Sequence, residues 1–353
     1  MTVPHGGTVE ACHDLEGRRA RTHTGDVVKA LPEEIEDLRP LIDRLASCAY
    51  PRTGTVGRWK AVRVPRGRNN VVYQARAGML AVAVKFSARD ARDRAGREHR
   101  ALLLLAEAGL DVAPAPLGLI RGDLPHPVVI STWLDGVVSD DPPATDSEWD
   151  RLVRHYAAIH IVAPSDGRGD LPMAVMTMTG TASGRALLEA EVGRLLPFGV
   201  PPEITDLLRL VTAARLPDLL APGRCLCRCD TNIGNMVRRE RAWASVDWEY
   251  AGWGDPAFEL ADLISHPAHE AVAPGCWRRV AEKYAACYDD EALLGRARVY
   301  EMLMACWWAV RFTRMIIGPE PSRLSGSRLD PADARTRQRR YLARAHELLD
   351  RSG

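Results

Sequence analysis

The sequence predicts an α+β fold in two lobes. A small antiparallel β-sheet comes first, and a larger helical lobe follows, carrying a short β-hairpin of its own. Three observations predict this. Residues 59–64, 71–76 and 80–86 are short Val-rich runs separated by turn residues at 65–70 and 77–78, an antiparallel pattern. From residue 89 onward apolar residues recur mainly at helical spacing. Within that helical part, residues 225–250 return to two short β-like runs around Thr231-Asn232 and Gly234.

Taken in order, residues 1–30 read as a loose extension rich in Gly, Thr, His and Arg. Residues 32–48 read as a helix: Pro32 suits a first turn, acidic residues follow it, and Ile35, Leu38, Ile42 and Leu45 share one face. The three Val-rich strands come next. Residues 89–108 form a helix stopped by Gly109, Pro114 and Pro116. Residues 128–133 are a buried strand ended by Asp135-Gly136. Trp149, Leu152, Val153, Tyr156 and Ile159 mark an amphipathic helix, residues 163–183 a loop, and 187–196, 204–210 and 293–317 further helices. The predicted organisation is an extension and helix over 1–50, a sheet lobe with its connecting strand over 51–134, and a helical lobe over 135–353.

Composition narrows the function. The 353 residues are 46% hydrophobic and 26% charged, a globular balance that excludes a disordered chain. A net charge of +1 argues against a nucleic-acid partner. No apolar run approaches the roughly 18 residues of a membrane span, and residues 1–25 lack the apolar core of a signal peptide. A cytoplasmic protein with reduced cysteines is expected, without membrane or nucleic-acid partners. Only four of the 47 basic residues are lysines (Lys29, Lys60, Lys85 and Lys283), so a lysine kept in a special place calls for a reason.

Residues 225–250 carry the chemistry. Asp230 sits where a strand gives way to a loop, Asn235 follows five residues on, and Asp247 ends the next short strand. A strand–loop–strand hairpin would bring the three side chains to one end. Two carboxylates and an amide make a hard, oxygen-rich site suited to Mg²⁺ and phosphate rather than to a soft metal.

This segment resembles the catalytic core of the aminoglycoside phosphotransferase and choline kinase-like family, a branch of the protein-kinase-like fold. Asp230, then four residues, Asn235, and then Val246-Asp247-Trp248 match the family pattern. Gly252-Trp253-Gly254-Asp255-Pro256 and the following Phe258-Glu259-Leu260 are also typical of it. The resemblance covers residues 55–315. It implies that Asp230 is the catalytic residue that accepts or orients the proton of a substrate hydroxyl. It implies that Asn235 and Asp247 hold Mg²⁺ on the phosphates of ATP or GTP. Lys85, in the third strand, matches the lysine that contacts those phosphates, and Glu98 in the next helix matches its ion-pair partner. Gly67, Arg68, Asn69 and Asn70, in the loop between the first two strands, would present backbone N–H groups to phosphate. Ser131 and Trp133, on the connecting strand, would serve the adenine. The sequence departs from the family pattern at one place: Arg228-Cys229-Asp230 stands where His-Gly-Asp or His-Asn-Asp is usual.

The remaining candidates are weaker. Cys225, Cys227 and Cys229 alternate as on one strand face, and with no second ligand pair in the sequence they read as small packing residues. Glu301 and Trp308, on the late helix, and Glu249, beside Asp247, are candidate contacts to the acceptor. Asp140, Asp141, Asp146, Glu148 and Asp150 read as a solvated run and a helix start, and Asp255 as a brace. The expected activity is phosphoryl transfer to a hydroxyl of a small molecule, an antibiotic or a natural-product intermediate. The alternatives are a nucleotide-binding pseudokinase with a regulatory role, in view of Arg228, and a nucleotidyltransferase on the same fold.

Overall fold

In the computed structural model residues 31–65, 70–164, 171–318 and 330–351 are described. The predicted extension over 1–30 and the loop residues Gly67, Arg68 and Asn69 lie outside them. The first helix is split. A 3₁₀ turn, Glu33–Leu38, runs into α1 (Arg39–Ser47). Pro40 lacks a backbone donor, so it fits the first turn of α1 and not the interior of one long helix.

Six strands follow: β1 (Thr53–Val56), β2 (Trp59–Arg63), β3 (Val71–Ala77), β4 (Leu80–Phe86), β5 (Pro116–Ile120) and β6 (Val128–Thr132). They form one antiparallel sheet in the order β1-β2-β3-β4-β6-β5, with α2 (Arg94–Glu107) inserted between β4 and β5. The three Val-rich runs and the strand near 128 appear as predicted. The two edge strands β1 and β5 were not predicted. β1 is four residues containing Thr and Gly, and β5 begins on Pro116, a residue tolerated at a sheet edge because no neighbour needs its missing N–H.

The helical lobe comprises α3 (Asp146–His160), α4 (Thr181–Leu195), α5 (Pro202–Ala213), α6 (Pro256–Ser265), α7 (Pro274–Ala285), α8 (Leu293–Ile317) and α9 (Pro331–Asp350). α8 is its axis, packed by α4, α6 and α9, and it buries residues around most of its circumference. α3 starts on a capping box in which Thr145 and Glu148 satisfy each other's backbone, as the acidic run suggested. Asp255 caps α6 and meets Arg296 at 2.8 and 3.0 Å and Tyr300 at 3.1 Å, all buried, which fixes α6 to α8. Among the described residues no helix is long and apolar enough to cross a membrane.

Four short strands, β7 (Cys225–Cys227), β8 (Met236–Val237), β9 (Ala244–Ser245) and β10 (Gly252–Gly254), lie between α5 and α6. Their pairing corrects the predicted hairpin. β7 pairs with β10, and β8 pairs with β9. Two nested pairs therefore present two loops side by side, one after β7 and one after β9. Gly252 on β10 lets the 172–174 segment pack against the strand: a Cβ there would lie 2.4 Å from the backbone of residues 172 and 174.

Candidate active site

Asp230 lies in the loop after β7, Asn235 ends that loop, and Asp247 lies just after β9. The Asp230 carboxylate accepts from the backbone N–H of Asn232 at 3.1 Å and from the Asn235 amide at 2.9 Å. Asn235 commits its NH₂ to Asp230, which leaves its carbonyl oxygen to act as a donor to a cation. The backbone is unusual on both loops: Cys229 has φ +53° and Asp247 φ +64°. A left-handed residue suits Gly or Asn, the residues the resemblance led one to expect before the aspartate, so Cys229 holds this conformation under strain. Its N–H is fixed by Glu259 at 2.5 Å.

Arg228 stands where the family pattern has His. It is fully buried, and its guanidinium donates to the carbonyls of Asp230 and of Val246, the latter at 3.1 Å. One side chain thus ties the loop of Asp230 and the loop of Asp247 together by their backbones. Burial raises the Asp230 carboxyl above its ordinary value. Arg228 pulls against that, and Asp247 adds to it.

The sheet lobe meets these loops across the cleft. Lys85 on β4 reaches Glu98 on α2 at 2.5 Å and also bonds Asp247. Burial opposes the Lys85 charge, yet Asp247, Glu98 and Glu249 together hold its ammonium above the usual lysine range. For Asp247, burial would raise the carboxyl, and Lys85 together with Arg228 and Arg94 more than reverses this. Glu249, also buried, accepts from Asn70 at 2.8 Å and from Arg94, and burial together with Asp247 pushes its carboxyl up to about 7. Four carboxylates (Glu98, Asp230, Asp247 and Glu249) therefore share a small volume with Lys85, Arg94 and Arg228. Three of the four are driven toward neutrality. An oxygen-rich, negatively overloaded donor set of this kind fits a hard divalent cation. Asn70 Oδ1, buried without a partner, is a further polar atom left open there.

A cleft of about 1610 Å³ opens on this cluster. Its walls include Asn70, Asp230, Asn235, Asp247 and Glu249 on one side and Trp307, Trp308, Arg311 and Phe312 of α8 on another. Asp140 and Asp141, predicted as solvated surface, also line it. Trp308 is thus brought to the cleft as expected. Glu301 is not among the lining residues: α9 packs along α8, and Arg344 takes its carboxylate at 2.6 Å. Ser131 and Trp133 are not among them either. Ser131 is paired within the sheet between Ala83 and Pro116, and the Trp133 N–H donates to the Ala81 carbonyl at 3.2 Å. Sequence reasoning missed Arg94, whose only signal is its place one turn before Glu98. It also missed Asp262, which accepts from the Thr231 hydroxyl at 2.9 Å and is pushed up to about 7 by burial.

No curated protein matches the chain. Solved structures do. A choline/ethanolamine kinase family protein from Mesorhizobium loti is 20% identical, with TM-score 0.55 over 82% of this chain and 87% of that one. A spectinomycin phosphotransferase in complex with ADP and spectinomycin is 13% identical, with TM-score 0.58 over 88% and 98%. A macrolide 2'-phosphotransferase from Brachybacterium faecium is 18% identical, with TM-score 0.53 over 74% and 93%. At these identities the likeness establishes the kinase-like fold. The sequence match goes further: residues 60–301 fit the model of the phosphotransferase enzyme family, and the chain belongs to that family.

Proposed function

We propose that the chain transfers the γ-phosphoryl group of ATP or GTP to a hydroxyl of a small molecule, an antibiotic or a natural-product intermediate. The observation that carries this reading is the convergence of Asp230, Asn235 and Asp247 on one cleft, with the buried Lys85–Glu98 pair bonded to Asp247 behind its wall. Phosphoryl transfer asks the protein for position and charge rather than for covalent chemistry, and this cluster supplies both. Asp230, held in place by Asn232 and Asn235, orients the acceptor hydroxyl and takes its proton. Asp247 and Asn235 are the residues that would hold Mg²⁺, which when bound neutralises phosphate charge. Lys85, kept on target by Glu98, contacts the phosphates. Asn70 lines the same cleft, bonded to Glu249. Glu249, engaged by Asn70 and Arg94, joins the sheet lobe to the Asp247 loop. Trp308, with Trp307 and Phe312, gives the acceptor an aromatic wall.

The solved spectinomycin phosphotransferase holds ADP and an antibiotic, which supports both the nucleotide and the acceptor class. The position of Arg228 also favours an active enzyme over a pseudokinase, since it contacts loop carbonyls and leaves the Asp230 carboxylate to Asn232 and Asn235. The test is incubation with γ-labelled and α-labelled ATP and GTP and a panel of hydroxylated acceptors that includes spectinomycin, a macrolide and choline. Label passing from the γ position to an acceptor is the expected result. Transfer from the α position identifies a nucleotidyltransferase, and nucleotide binding with no transfer identifies a pseudokinase.

A further inference from the structure

Before the loop of Asp230, and outside the residues that line the cleft, the chain gathers three buried soft ligands. Cys225 and Cys227, the two ends of β7, carry their thiols on one side of the strand, with the sulfurs 3.7 Å apart. The last residue of α3, His160, comes against them, and both sulfurs and one imidazole nitrogen lie within 4.8 Å of one another. Neither cysteine is in a disulfide, and all three residues are buried.

The spacing suits a metal. Zinc–sulfur bonds of about 2.3 Å place two sulfurs of a tetrahedron about 3.8 Å apart. The environment of His160 suits one as well. Its Nε2 meets the buried Glu259 carboxylate at 2.7 Å. A metal-bound imidazole almost always gives its second N–H to such a group, which fixes the tautomer and raises the basicity of the other nitrogen. With the proton on Nε2, Nδ1 keeps its lone pair, now directed at the hydroxyl of Tyr288 and, at 3.4 Å, that of Tyr284. Tyr288 is half-buried and Tyr284 buried, and a metal takes the place of these hydroxyls at Nδ1.

We propose that Cys225, Cys227 and His160 form a binding site for a borderline-soft divalent cation of the Zn²⁺ class, with Glu259 as the carboxylate behind the histidine. A water or the Tyr288 oxygen completes four-coordination. Binding displaces the two thiol protons to solvent, so affinity rises with pH. The site reaches the chemistry through one residue: the other oxygen of Glu259 holds the Cys229 N–H, next to Asp230. An ion there stiffens the strained turn that aims Asp230. It is separate from any Mg²⁺ in the cleft, which would sit among oxygen donors.

The probe is Co²⁺, titrated into the full chain after purification without a metal-chelating tag and removal of metals under reducing conditions. A thiolate-to-cobalt charge-transfer band in the near ultraviolet, with visible bands of tetrahedral intensity, should saturate at one equivalent and vanish on adding Zn²⁺. Cobalt on oxygen ligands gives neither signal, so the cleft does not interfere. Cys225→Ser and Cys227→Ser should each abolish the band. Cys287→Ser, beside Tyr288 but outside the cluster, should leave it intact, and Glu259→Gln should weaken affinity about 10- to 100-fold. If the folded wild-type chain shows no charge-transfer band, or if the band survives in Cys225→Ser, the cysteines are packing residues and the site does not exist. The wild-type titration decides even where a serine variant fails to fold.

Discussion

The guanidinium of Arg228 donates to the main-chain carbonyl of Asp230, two residues along, and not to its carboxylate. Its second bond, to the carbonyl of Val246, joins the loop of Asp230 to the loop of Asp247. Arg228→Met keeps the volume and removes both bonds. Each half-buried carbonyl that loses its partner gives up a hydrogen bond to a charged group, about 1–3 kcal/mol, so the thermal midpoint should fall. Arg228 also holds the Asp230 carboxyl down against burial. Without it that carboxyl titrates higher, and the acid limb of the kcat/KM profile should move to higher pH. A profile unmoved by the substitution would mean that the Asp230 charge does not feel Arg228.

Lys85 is one of four lysines among 47 basic residues, and it is buried between Glu98 and Asp247. The slot accepts a compact ammonium and has no room for a planar fork. Lys85→Arg should therefore weaken nucleotide binding and turnover although charge is conserved. Glu98→Ala should be milder, because Lys85 loses its positioning partner and keeps its charge. Nucleotide Kd and turnover of both variants beside wild type provide the check, and a wild-type-like Lys85→Arg contradicts the assignment.

Asp247→Ala removes a central carboxylate of the donor set facing the cleft. Nucleotide binding followed by calorimetry across a Mg²⁺ titration should lose its metal dependence in this variant. The same Mg²⁺ dependence in variant and wild type would place the ion elsewhere.

Asp262 gives a pH signature of stability. Burial raises its carboxyl from 3.8 to about 7 in the folded chain. Between those values the unfolded chain releases the proton while the folded chain keeps it, so its contribution to stability falls as pH rises from about 4 to about 7 and is level above. Asp262→Asn can still accept from Thr231 and has no proton to lose. Wild type should therefore lose stability relative to the variant across that window, as read by denaturant midpoints at several pH values. A constant difference from pH 4 to 8 would show that Asp262 titrates normally.

Much of this molecule is legible in the sequence. The three Val-rich strands and the late helix over 293–317 depend on local pattern, and the structure has them where the pattern put them. The pairing of β7 with β10 and of β8 with β9 was not legible. Strands of two or three residues carry no periodicity, and their partners are chosen by tertiary packing. Glu301 failed for a similar reason: helix periodicity placed it on α8, and only the docking of α9 brings Arg344 to its carboxylate. His160 lies 65 residues before Cys225, a separation over which no spacing rule links a ligand to its partners.

The most direct measurement is turnover and nucleotide affinity of Asp230→Asn in the γ-phosphoryl transfer assay. The substitution keeps the shape of the side chain and removes its ability to take a proton. Turnover should drop roughly 10²-fold or more while nucleotide Kd stays close to wild type. Unchanged turnover on a true acceptor would contradict the role of Asp230, and with it the reading of the cleft as a phosphoryl-transfer site.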